Sequence, residues 1–286
     1  MAYAGAAHLP ESWRRVAPPV FGSAFWAALP RVRRVVTDNQ ARILSLPRGS
    51  FAARRAAHAL FVEYAHCLTD SLELTAKPDR PFPHRILGRE HMVDARREGR
   101  GVVVVTAHTG SWEVGGRCLS EDQAMNVTLV MAAEENVGTR GYASELRRRA
   151  GTEVVYADGH DPGTALTLLA RLRELGAVAV QLDRAPPSNT PVDVTMFGAN
   201  WALPRGPFRL AQAAGAPVIP IFIHRVGYRT YEVVVDPAIA VPRKGGPDAV
   251  ASAARSAAAS LERFVRAHPD QWFHFQPIPA AGPVFL

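Results

Sequence analysis

The strongest constraint in this chain is a run of four valines, Val102, Val103, Val104 and Val105, which leads into Thr106-Ala107-His108-Thr109-Gly110-Ser111-Trp112-Glu113. β-Branched residues are stiff and pack well on a pleated surface. An apolar run without polar alternation reads as a strand buried on both faces, as in a parallel sheet covered by helices. The run ends at a histidine, a short Thr-Gly-Ser turn and a glutamate. A strand that delivers a histidine to its C-terminal edge can supply a general base, because imidazole titrates near neutral pH. A carboxylate bonded to one ring nitrogen fixes the tautomer and stabilises the imidazolium. His108 and Glu113 are therefore the candidate catalytic pair. A His-x4-Glu spacing alone arises by chance, and its place behind a buried strand gives it weight. The alternative is a buried histidine bonded to backbone, with Glu113 as a charge at a helix start.

The neighbouring chain alternates strand and helix. A strand at 101–107 leads to a helix near 112–120, and one at 127–132 to a helix near 137–150. A short strand at 153–156 leads to a helix at 162–175, and a strand at 177–182 follows. This rhythm predicts an α/β fold with a largely parallel sheet flanked by helices. Ligands of such sheets bind beyond the carboxyl ends of the strands, so His108 and Asp183 are expected at one edge. Further on, residues 192–196 are strand-like and 207–214 helical. Residues 216–223 form a buried strand with an antiparallel partner at 228–235, and a long helix spans 247–267. Upstream, residues 12–47 read as one or two amphipathic helices with a break at Pro30. Residues 49–75 form another helix, and 89–99 a short one. No repeat or linker interrupts the chain, so residues 1–286 are expected to be one domain. It would comprise an N-terminal helical element at about 12–75 and an α/β core at about 85–275.

Composition narrows the chemistry. The chain carries 33 Lys+Arg against 26 Asp+Glu, a formal charge of +7. Arginine, which dominates the excess, suits planar contacts with phosphate and carboxylate. The partners this suggests are nucleic acid, anionic lipid, a phosphopantetheine carrier or coenzyme A; a GC-rich genome explains the arginines equally well. Cys67 and Cys118 make neither a disulfide framework nor a zinc site, and no His, Cys or carboxylate cluster has metal spacing. A Gly-x-Gly-x-x-Gly turn and a P-loop are both absent, which disfavours nucleotide enzymes. The Gly-x-Ser-x-Gly elbow is missing around Ser111, which disfavours a serine hydrolase. The start lacks the pattern of a signal peptide. The apolar stretch at 16–29 is interrupted by Pro18 and Pro19 and is too short to span a bilayer. Phe21, Phe25, Trp26 and Leu29, followed by Arg31, Arg33 and Arg34, have the composition of an interfacial helix. The expected location is cytoplasmic and peripheral at the inner membrane.

Ala107-His108-Thr109-Gly110-Ser111-Trp112-Glu113-Val114-Gly115-Gly116 resembles the His-x4-Asp/Glu block of the lysophospholipid acyltransferase superfamily. It looks closest to the bacterial branch of late lipid A acyltransferases and phosphatidylinositol mannoside acyltransferases, with Ser111 where that branch has Asn. Further likenesses follow in order: Leu182-Asp183-Arg184, Phe197-Gly198, Pro204-Arg205-Gly206-Pro207, Gly215-Ala216-Pro217-Val218-Ile219-Pro220, and His268-Pro269-Asp270-Gln271-Trp272. The resemblance implies a glycerol-3-phosphate acyltransferase-like fold. It also implies transfer of a fatty acyl chain from an acyl carrier protein or coenzyme A thioester to a hydroxyl of a lipid or glycolipid. His108 would deprotonate that hydroxyl, Glu113 would orient His108, and the alkoxide would attack the thioester directly. No cofactor beyond the donor is implied, and an anionic membrane surface rather than nucleic acid is the expected partner. Arg147, Arg149, Asp183, Arg205 and Gly206 are candidates for phosphate contact or site architecture. Two departures set the chain apart from lipid A enzymes: it lacks a convincing N-terminal spanning helix, and Asp183-Arg184 stands where that branch has Asp-Gln. Two other readings compete: a non-catalytic basic module that binds anionic lipid or a carrier protein, and a thioester hydrolase in which His108 and Glu113 activate water.

Overall fold

A computed structural model describes residues 10–77, 79–97, 99–123, 126–132, 153–157, 162–184 and 191–279. Three helices come first: α1 (Glu11–Ala28), α2 (Pro30–Ile43) and α3 (Phe51–Ala76). The break falls at Pro30, the first residue of α2, where its fixed φ suits a helix start and its missing N–H costs nothing. Ser50 caps α3 by accepting from the Ala53 N–H at 3.2 Å. Gly22 lets α1 cross α3 closely: a Cβ there would lie 2.7 Å from the Phe61 carbonyl oxygen.

The α/β core follows as β1 (His84–Leu87), α4 (Arg89–Arg96), β2 (Val102–Thr106), α5 (Trp112–Gln123), β3 (Val127–Ala132) and β4 (Glu153–Ala157). It continues with α6 (Pro162–Arg173), β5 (Ala177–Gln181), β6 (Pro191–Met196), β7 (Ala199–Pro204), α7 (Gly206–Ala214), β8 (Val218–Gly227), β9 (Thr230–Val235) and α8 (Gly246–Ala267). Seven strands form one sheet in the order β1-β9-β8-β2-β5-β3-β4. All its pairs are parallel except β8 with β9.

β2 is central and explains the four valines. Val103 and Val105 point into the core on one side of the sheet, with Phe222, Leu261 and Trp272. Val102 and Val104 point into a second core on the other side, with Phe61, Ile221 and Tyr231. The strand has no polar face because helices cover both sides.

Two elements escape the sequence reading. The strand-like segment at 192–196 is β6, and it pairs antiparallel with an unforeseen strand, β7, to make a separate hairpin. Its two-residue turn is Phe197-Gly198, both with positive φ (51° and 66°), the geometry that matches strand twist. β1 is a four-residue strand added parallel to β9 at the sheet edge. The helix expected at 137–150 lies outside the described residues.

Candidate active site

β2 and β5 are parallel neighbours with Thr106 opposite Gln181. Two residues on in each chain stand His108 and Asp183, so the register places them side by side at the carboxyl edge. His108 Nδ1 and Asp183 Oδ1 are 2.9 Å apart. The His108 backbone N–H also donates to the same carboxylate, at 3.2 Å to Oδ2. The Asp183 side chain has no exposed surface, while that of His108 keeps 26%. Among the described residues, Nε2 of His108 has no hydrogen-bond partner. With Asp183 accepting a hydrogen bond from Nδ1–H, Nε2 is the nitrogen left with a free lone pair, and it sits on a partly open ring.

Burial alone would raise the Asp183 carboxyl. The hydrogen bond and charge of His108, the Trp272 indole and the His108 backbone N–H outweigh it and hold the carboxyl below its ordinary value. Trp272 Nε1 donates to Asp183 Oδ2 at 2.9 Å from an almost fully buried ring. That ring stacks between Phe197 and His274, with centroids 5.4 and 4.6 Å away. His274 is pushed down to about 4 by burial, with nearby Asp183 opposing the shift, so it is neutral at pH 7.

The segment that carries Trp272 is clamped from both sides. The Phe273 N–H donates to the His108 carbonyl at 2.8 Å, and the Gly110 N–H to the Gln271 carbonyl at 2.9 Å. From α2, Asn39 Nδ2 donates to the Gln276 carbonyl at 2.8 Å and Gln40 Nε2 to the Pro269 carbonyl at 2.7 Å. Gly110 has φ +52°, and a Cβ on it would lie 2.6 Å from the Ile223 carbonyl oxygen. Only glycine fits that left-handed, tightly packed turn beneath the histidine.

Glu113 lies in the first turn of α5. Its Oε2 accepts from Ser71 Oγ at 3.0 Å, and Ser71 Oγ is 2.8 Å from Ser111 Oγ. The carboxylate bonded to the His108 ring is thus Asp183, and the described hydrogen bond of Glu113 runs to α3. Ser111 is 1% exposed and caps α5 through the Val114 N–H, at 3.4 Å. Arg205 precedes α7 and donates to the Pro191 carbonyl at 3.2 Å; its Nε is buried without a partner among the described residues. Gly206 is the first residue of α7. Neither is hydrogen-bonded to His108 or Asp183. Arg147 and Arg149 lie outside the described residues.

A narrow apolar slot of about 50 Å³ runs beside this edge. Thr106, Gln181, Leu129 and Ile221 line it from the sheet, and Trp112, Gly115 and Gly116 from α5. Thr106 and Gln181 are each two residues before the paired side chains in sequence, while His108 and Asp183 themselves are not part of the lining. Gln181 Nε2 is buried there without a hydrogen-bond partner among the described residues. A Cβ on Gly116 would meet nothing within 4 Å.

Sequence reasoning placed His108 and Asp183 on one edge but missed their direct bond, and it missed Trp272, Asn39 and Gln181 as parts of the site. The register of the two buried strands carries the first signal. Trp272 had only its place in a block resembling a family element.

A family model described as bacterial lipid A biosynthesis acyltransferase matches residues 1–278. Phosphatidylinositol mannoside acyltransferases from two strains of Mycobacterium tuberculosis are each 26% identical over 198 residues, which is 69% of this chain and 60% of theirs. The protein of the same name from Mycolicibacterium smegmatis is 26% identical over 136 residues, 48% of this chain and 44% of its own. The matched part of the chain thus spans 60% of the length of the M. tuberculosis relatives.

Proposed function

Since the chain belongs to the bacterial lipid A biosynthesis acyltransferase family, we propose that it transfers a fatty acyl chain from a thioester donor to a hydroxyl of a lipid or glycolipid. The observation that carries this reading is the His108–Asp183 pair, 2.9 Å apart, two residues beyond Thr106 and Gln181, which line an apolar slot. Asp183 holds the ring so that Nε2 faces the acceptor hydroxyl. His108 takes the hydroxyl proton as the oxygen attacks the thioester carbonyl. The new C–O bond forms, the C–S bond breaks, and the leaving thiolate takes the proton back from His108. The enzyme needs no nucleophile of its own, which agrees with a Ser111 spent on capping α5.

Charge develops on the carbonyl oxygen during the attack. A buried donor without a partner stabilises such charge well, because it is already oriented and out of water. Gln181 Nε2 fills that role at the slot wall. The acyl chain enters between the sheet and α5, where Gly115 and Gly116 present no side chain to resist it. Glu113 remains the second carboxylate of the motif, tied through Ser71 to α3. Coenzyme A and acyl carrier protein both supply the required thioester, and the lipid acceptor is met at a membrane surface.

The test is mass spectrometry of a bacterial lipid extract incubated with the purified protein and either acyl-CoA or acyl carrier protein thioester. The reading expects lipids heavier by one acyl group. Free fatty acid released at the same rate with and without lipid would instead make the protein a thioester hydrolase.

A further inference from the structure

One face of the N-terminal helices, none of whose residues belong to the His108–Asp183 pair, is built from two features. The first is the outer side of α1. No charged residue occurs between Arg15 and Arg31. Val16, Val20, Phe21 and Phe25 each lie more than half exposed, and Phe51 at the start of α3 is 83% exposed. Side chains of this size gain about 1.5–3 kcal/mol each on leaving water. Exposed contiguous apolar patches mark surfaces that something else covers.

The second feature is a groove of roughly 690 Å³ where α1 gives way to α2 and α3 begins. Arg33, Arg34, Arg48 and Arg54 line it, with Trp26 and one carboxylate, Asp38. Arg34, Arg48 and Arg54 make no ion pair among the described residues. Arg33 lies over the Trp26 ring, 4.9 Å from its centroid. Four guanidinium groups facing one carboxylate leave the groove strongly positive, and guanidinium recognises phosphate oxygens two at a time.

Trp26 belongs to α1 and Phe51 lies one helical turn before Arg54, so apolar stripe and basic groove form one continuous surface. An anionic bilayer supplies both complements at once: acyl chains for the stripe and phosphates for the groove. We infer that this face docks on an anionic phospholipid bilayer, with α1 lying in the interface plane, and that the arginine groove seats the phosphate of a bilayer lipid separate from the acceptor. Among the described residues no helix is long and apolar enough to cross a membrane, which fits a helix that lies on the surface. The same α2 that walls the groove holds the Trp272 segment through Asn39 and Gln40. Docking therefore fixes the orientation of the catalytic edge to the bilayer. This binding site stands independently of the proposed acyl transfer.

Flotation of the full chain with lipid vesicles tests it. Vesicles of phosphatidylcholine alone are compared with vesicles of equal parts phosphatidylcholine and phosphatidylglycerol. The wild-type protein floats with the anionic vesicles and releases at high salt. The double variant Arg34→Ala/Arg48→Ala lowers binding by roughly 30-fold, each arginine near an anionic surface contributing about a fivefold factor. The control Arg173→Ala/Arg255→Ala, with the same charge change on other helices, loses at most a few-fold. Phe21→Ser/Phe25→Ser loses binding with only a small change in unfolding temperature, since both residues are more than half exposed. Equal losses in the groove and control variants would overturn the groove. Binding indifferent to phosphatidylglycerol would do the same. Sedimentation of the wild type as a dimer that Phe21→Ser/Phe25→Ser dissolves would assign the stripe to a second copy. Displacement from the vesicles by acyl carrier protein would assign the arginines to that acidic partner.

Discussion

Asp183 Oδ1 lies 2.9 Å from His108 Nδ1, and the two residues stand two positions past the ends of adjacent parallel strands paired in register. The strand register two residues earlier therefore brings the His108 ring and the Asp183 carboxylate together. Replacing Asp183 by Asn keeps the shape and removes the charge that fixes the tautomer and stabilises the imidazolium. The expected loss in acyl transfer rate is about two to four orders of magnitude. Glu113→Gln, which can still accept from Ser71, loses less. Steady-state rates of the two variants side by side check the ranking; equal losses, or a larger one for Glu113→Gln, would return the orienting role to Glu113.

Trp272→Phe keeps the ring stack with Phe197 and His274 but removes the indole N–H from Asp183 Oδ2. A hydrogen bond to a buried charge contributes about 1.5–3 kcal/mol, so stability falls by about that much at pH 7. The sign of the pH effect follows from a carboxyl held below 3.8 in the folded state. Its contribution is complete above the ordinary carboxylate range and is lost as pH falls through the depressed folded value. In Trp272→Phe that value rises, so acid unfolding begins at higher pH. Urea unfolding across the acid range measures this; an unchanged acid transition would contradict it.

Gly116→Leu narrows the slot that Gly116 lines, and its first carbon has room, since a Cβ there would meet nothing within 4 Å. Leucine also has a higher helix propensity than glycine by about 0.5–1 kcal/mol, so α5 does not suffer. The variant is expected to keep its fold, to prefer shorter acyl donors and to lose most of its rate with long ones. Rates measured over a series of donor chain lengths decide this, and an unchanged profile would place the acyl chain elsewhere.

Asp70 tests the core around α3. It is 5% exposed and accepts from the Tyr231 hydroxyl at 2.6 Å. Burial raises its carboxyl to about 6, against the pull of that hydrogen bond. A raised carboxyl pKa means the folded state holds the proton more tightly than the unfolded chain. Stability then falls as pH rises from about 4 through about 6. Asp70→Asn should be more stable than wild type at pH 7 by about 1–2 kcal/mol, with the gap closing by pH 4. Unfolding midpoints at the two pH values check it; a gap independent of pH would contradict it.

Much of this was legible in the sequence because it rests on local pattern. Val102–Val105 announced a strand buried on both faces, and the strand-helix alternation put His108 and Asp183 on one edge. The break at Pro30 followed from the geometry of proline. What was not legible depends on distant pairing. His108 and Asp183 are 75 residues apart, and only the register of Thr106 with Gln181 brings them into contact. Trp272 reaches Asp183 from 89 residues away, and Asn39 grips Gln276 across 237. β1 is four residues between Pro83 and Gly88, too short for periodicity to register. β7 hid because its residues include Pro204 and Asn200, which carry little strand preference.

The most direct measurement is the initial rate of acyl transfer by His108→Ala, with acyl-CoA or acyl carrier protein thioester as donor and a lipid extract as acceptor. Circular dichroism should confirm the fold, since His108 is a partly exposed side chain at a strand end. The account predicts a rate indistinguishable from the reaction without protein, while vesicle binding stays at the wild-type level. A folded His108→Ala protein that transfers the acyl chain at the wild-type rate would contradict the assignment of His108 as the base.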